Sequence, residues 1–144
     1  MEQVRESGGR IFVRLEQGEE LIDSLKRVAT DCDLSGYEIA SGVGMIEGLR
    51  LGFFCVNDND YAVSNIPGLL DLSSVSGNVF RREDQFWPHV HIVANRPDFS
   101  TVSGHVVSAK THITMEIFLA PMPGTSLRRR AVAGRPATIV TTMT

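Results

Sequence analysis

With 144 residues and 42% hydrophobic content, the chain is the size of one domain with a core of its own, which excludes a disordered chain. No apolar run approaches the roughly 18 residues of a membrane span, so a spanning helix is not expected. A formal net charge of -3 excludes a surface that is basic throughout, and any contact with nucleic acid has to be local.

The first segment, MEQVRESGGR, carries charges where a secretory leader needs an apolar stretch, so the expected location is the cytoplasm. Residues 1–9 read as an N-terminal extension. RIFVRLEQ then alternates, with Ile11, Val13 and Leu15 on one face, and predicts a strand. In the following EQGEELIDSLKRVATDCD, Leu21, Ile22, Leu25, Val28 and Ala29 recur at helical spacing. Glu19 and Glu20 at its start and Lys26 and Arg27 further along suit the helix dipole. This is the one main helix expected.

After the Asp33–Gly36 turn, YEIASGVGMIEGLRLGFFCV predicts two strands interrupted around Gly42–Gly44, where glycine permits a bulge or positive φ. YAVSNI, LLDLSSVSGNVFR, PHVHIVAN, STVSGHVVSA and THITMEIFLAPM continue as strands separated by Asn, Asp, Pro and Gly signals. The fold class is α+β: a single domain over residues 10–122 with a mixed or largely antiparallel sheet and one main helix. Residues 123–144 form a basic C-terminal tail, in which Ala137–Met143 reads either as a final edge strand or as disordered. Cys32 and Cys55 are far apart, form no CxxC pair and read as free, partly buried thiols.

Three of the four histidines fall within WPHVHIVANRPDFSTVSGHVV. On a strand, residues i and i+2 point to one face, so His89 and His91 project together. His105 opens the next strand, and a hairpin across NRPDFS returns it beside the pair. Three converging imidazoles are the donor set of a zinc or similar site with a position left for water or substrate. The residues alone leave three readings open: a metal site, polar histidines satisfied by solvent or hydrogen bonds, and acid–base chemistry. His112 and Glu116 lie at odd offsets from His105 and fall on the opposite face of an unbroken strand, unless a bulge near Ala109–Thr111 reverses them. Both are left out of the ligand set. Phe86, Trp87 and Asn95 are candidates to shape a pocket, although Trp87 beside Pro88 also reads as packing. No GxSxG elbow, GxGxxG fingerprint or P-loop is present, and no catalytic residue is assigned.

The one basic concentration is in the tail, where Arg128, Arg129, Arg130 and Arg135 are the candidate nucleic-acid contacts.

Taken together, RLEQGEELIDSLKRVA, ASGVGMIEGLRLGFF, LLDLSSVSGNV and HVHIV…SGHVV resemble the PPC domain of plants and prokaryotes, which in plants accompanies AT-hook motifs. The likeness is to its prokaryotic stand-alone type and spans roughly residues 10 to 120. It implies an α+β fold with a mixed sheet, assembly as a homotrimer, and zinc on the three pattern histidines, which correspond to His89, His91 and His105. Ser103 stands where the first glycine of the family's GGH is usual. The plant hexapeptide falls on Gly68–Ser73 without its arginine or final leucine, so plant partner contacts do not carry over. The AT-hook core corresponds to Ala133-Gly134-Arg135-Pro136, which lacks the first of the two cations that flank an A·T minor groove, and the hook is read as absent. The expectation is therefore a DNA-linked or regulatory protein with a three-histidine zinc site and a basic tail that reaches DNA. The alternative is a metal-dependent small-molecule binder or enzyme.

Overall fold

The computed structural model describes residues 1–6, 8–135 and 138–142. Nine strands and one helix follow in chain order: β1 (Glu2–Arg5), β2 (Ile11–Glu16), α1 (Leu21–Asp31), β3 (Gly36–Cys55), β4 (Asp60–Ile66), β5 (Leu70–Arg82), β6 (Gln85–Asn95), β7 (Thr101–Pro121), β8 (Leu127–Ala131) and β9 (Thr138–Thr142). The expected α+β domain with one helix is what forms. Every pairing between the described strands is antiparallel, so the sheet has no mixed portion.

Seven strands run in the order β1-β2-β7-β6-β5-β3-β4, and β7 also pairs with β3. That extra pairing closes β3, β5, β6 and β7 into a ring. Two very long strands make the closure possible, and each corrects the sequence reading. The segment expected as two strands interrupted near Gly42–Gly44 is one 20-residue strand, β3, and the two strands expected after Ser100 are one 21-residue strand, β7. Glycine bends these strands without ending them: Gly44 has φ +152, and the β3–β7 register shifts between Gly44 and Ile46. Residues 2–5, within the segment read as an extension, pair with β2 at the sheet edge.

The core sits inside this ring and beneath α1. Ile11, Val13 and Leu15 bury the face expected of β2, and Leu21, Leu25, Val28 and Ala29 bury the expected stripe of the helix. Glu20 is the N-cap, its side chain accepting from the Asp23 amide at 2.7 Å. Lys26 and Arg27 do not sit in the last turn as the dipole argument required. They pair with Asp23 and Glu19 at 3.2 and 2.7 Å. Among the described residues no helix is long and apolar enough to cross a membrane. Cys32 and Cys55 are free and half-buried.

Beyond Pro121 the chain turns back. β8 and β9 form a separate hairpin that packs beside β5. Arg129 and Asn59 anchor it: Arg129 donates to Asn78 and to the Trp87 carbonyl, and the Asn59 amide donates to the Gly134 carbonyl. The tail read as an edge strand or as disordered is thus a two-stranded flap. Of the segment weighed for that strand, Ala137 and Met143 lie outside the described residues, as does Pro136 of the hook-like stretch.

Candidate metal centre

Strand parity builds the site. Val90, Ile92 and Ala94 of β6 point into the core, so His89, His91 and Val93 point out. On β7, Val106 points in and His105 out. The register places His91 directly opposite His105, with His89 two residues further along the same face. The hairpin predicted across NRPDFS exists, closed by Arg96 and Ser100 backbone bonds and by an Asp98 carboxylate that accepts from Ser100 at 2.6 Å. The three rings form a nearly equilateral triangle, with centroids 5.2, 5.2 and 5.4 Å apart. One nitrogen from each lies within 4.8 Å of the others.

Gly77 fixes the approach of β6. It lies opposite Val90 with φ +145, and a Cβ there would overlap the His89 carbonyl oxygen. Only glycine lets β5 come this close behind the first histidine. The SGN of LLDLSSVSGNV therefore acts through its backbone as well as through Asn78, which meets His89 in register and accepts from Arg129.

Burial disfavours the charged form of two of the rings, His89 and His105. Loss of water lowers the His89 pKa, helped by the nearby Arg129 and His91. For His105 burial is again the largest cause, followed by His89, His91 and Arg129, and the value falls to about 4. Neutral imidazole is the form that binds metal. Three imidazoles without a carboxylate suit a borderline-soft ion of the zinc type and not calcium or magnesium. His89, His91 and His105 are the residues that would hold an ion between them, each through one ring nitrogen. The donor set fits a metal.

A cavity of about 110 Å³ adjoins the triangle, lined by Tyr61, Trp87, Pro88, His89, His105, Arg129 and Thr138. Tyr61 lies beside His105 with ring centroids 5.7 Å apart. Of the residues expected to shape a pocket, Trp87 does so. Phe86 instead belongs to the core, and Asn95 bonds Ser73 and Thr101 at the far end of β6. His112 and Glu116 do face the same side as His105. One extra residue at Val107, where the β7 register shifts against β3, switches the inward positions from even to odd numbers. They nevertheless stay out of the triangle: His112 approaches Glu47, and Glu116 sits opposite Arg14 and Val43.

The four arginines part company. Arg130 and Arg135 are exposed, and Arg128 is half-buried and donates to the Thr125 and Leu127 carbonyls. Arg129, read from the sequence as a candidate nucleic-acid contact in the basic tail, is only 6% exposed and forms a wall of the histidine cavity. In this conformation it does not reach outward to a phosphate backbone. Within a run of three arginines nothing distinguishes the buried one, and Tyr61 and Thr138 carry no local signal at all, because β4 and the flap bring them in from distant segments.

The family model for the Plants and Prokaryotes Conserved (PCC) domain matches residues 2–123. No curated protein matches the chain at significant similarity. Solved structures share the fold at low identity. A plant- and prokaryote-conserved (PPC) protein from Pyrococcus horikoshii is 20% identical with a TM-score of 0.79, over 92% of this chain and 88% of that one. A "putative DNA binding protein" from Bacteroides thetaiotaomicron is 21% identical with a TM-score of 0.90, over 98% and 96%. A metal-containing protein from Archaeoglobus fulgidus is 22% identical with a TM-score of 0.80, over 92% and 93%. By the family match over most of its length, the chain belongs to the Plants and Prokaryotes Conserved domain family, the PPC family that its sequence resembles.

Proposed function

We propose that this protein is a metal-binding member of its family, in which His89, His91 and His105 hold a zinc-type ion with a coordination position left toward the Trp87–Arg129 cavity. The observation that carries this is the convergence of three imidazoles to within 4.8 Å on one outward face. The name of the Archaeoglobus relative supports it. Such an ion would supply a Lewis acid to an oxygen-bearing ligand. The chain's own residues supply the ligand triangle, aromatic walls and a fixed cation. Titrating chelator-stripped protein with zinc in a calorimeter tests the reading: one ion per chain is expected, and no heat beyond dilution refutes it.

Assembly as a cytoplasmic homotrimer goes with this reading. Its support is an outward apolar surface where Val43 (51% exposed) and Ile113 (64% exposed) line one shallow groove. Light scattering should give three times the 15.8 kDa chain mass, and Ile113→Asp should lower it. A monomer in the native protein removes the trimer.

A DNA-linked regulatory role is the second reading, supported by exposed Arg130 and Arg135 on the flap and by the name of the Bacteroides relative. Three such flaps in a trimer would add weak phosphate contacts by avidity. Fluorescence anisotropy with duplex DNA at low salt decides it. Absence of binding, or binding unchanged in an Arg130→Ala/Arg135→Ala variant, refutes a role for the flap.

A further inference from the structure

The histidine cavity has one wall that the metal reading leaves unused. Arg129 lies outside the segment that matches the family model, yet it is the most buried charged side chain described. Its Nε donates to the Trp87 carbonyl at 3.2 Å, its Nη1 to Thr138 Oγ1 at 3.1 Å and its Nη2 to Asn78 Oδ1. Those neutral acceptors account for three of the five guanidinium N–H groups, and two remain. Among the described residues no carboxylate comes within the 4.0 Å of an ion pair with it. A buried cation without a counter-ion is costly, and a divalent ion on three neutral imidazoles would add like charge to the same cavity. The described walls supply no negative charge to offset either. An anion in the cavity would offset both charges.

We propose that the cavity between Arg129 and the histidine triangle is a carboxylate-binding subsite, which takes the carboxylate of a small molecule between the guanidinium and the histidine-held ion. The inference rests on the metal reading and goes one step beyond it, to the class of ligand. Size and shape favour a carboxylate over a phosphate. The cavity is about 110 Å³, it offers a single guanidinium, and Tyr61, Trp87 and Pro88 give it flat walls suited to a planar group. The hydrogen bonds to Trp87, Thr138 and Asn78 hold the guanidinium in place, so the ligand need not order it.

The test uses full-length protein loaded with Co²⁺, whose visible bands report the ligand set. Native protein, Arg129→Gln and Arg129→Lys are compared for metal content and then titrated with acetate and, separately, with inorganic phosphate. Native protein should show a saturable change in the cobalt bands with acetate. Arg129→Gln should still hold cobalt, with its metal content and starting spectrum taken as its own baseline, and bind acetate at least tenfold more weakly. Arg129→Lys, which keeps the charge and the support for the flap if the glutamine variant does not fold, should fall between the two. Equal acetate affinity in all three proteins, or a response to phosphate alone, overturns the carboxylate subsite while leaving the metal in place. Absence of cobalt bands in native protein removes the metal reading, and the subsite with it.

Discussion

Replacing Gly77 with alanine tests how the backbone positions the first metal ligand. The added Cβ would overlap the His89 carbonyl oxygen and come within 3.0 to 3.1 Å of the His89 carbonyl carbon and Val90 Cα. All three are backbone atoms, so no side-chain rotation relieves the contact. The φ of +145 adds strain of about 1–3 kcal/mol for a residue with a Cβ. Forcing a methyl group into a closely packed place costs about 1–3 kcal/mol more. Gly77→Ala should therefore lower the stability of chelator-treated protein by about 2–6 kcal/mol in urea unfolding, and should weaken metal binding because His89 moves with its carbonyl. Gly8→Ala is the control, since nothing lies within 4 Å of its added Cβ. A Gly77→Ala protein within about 0.5 kcal/mol of native, with unchanged metal affinity, would refute the reasoning.

Removing the metal with a chelator should leave a protein that still unfolds cooperatively, because the histidines face away from a core complete without them. The expected loss is that of any released ligand, about 2.7 kcal/mol at a concentration 100 times Kd, and unfolding on chelation alone would contradict it. Tyr37 is fully buried and its hydroxyl donates to the Leu25 carbonyl of α1 at 2.7 Å. Tyr37→Phe should cost about 1 kcal/mol in urea unfolding, and no loss would mean that this bond does not help hold the helix to the sheet.

Short-range pattern made part of this protein legible. Alternation marked β2, helical spacing marked α1, and the period of two placed His89 and His91 on one face, because each depends only on neighbours along the chain. The resemblance to the PPC family extended this to the overall fold. Lengths were harder to read: β3 and β7 look like four strands because Gly44 and the extra residue at Val107 interrupt alternation without breaking the ladder. That same extra residue decides which side His112 and Glu116 face, and the sequence reading could only state the condition. The cavity was not legible at all. Tyr61, Trp87, Arg129 and Thr138 come from four strands, and a run of three arginines gives no sign that the middle one turns inward.

The central claim is that His89, His91 and His105 hold a metal together. Metal analysis of the native protein beside the His89→Ala/His105→Ala double variant, both purified without added metal and both checked for folding, tests it most directly. About one zinc-type ion per chain is expected in the native protein and almost none in the variant, since one imidazole is too few to retain it. Equal metal content in the two proteins would contradict it.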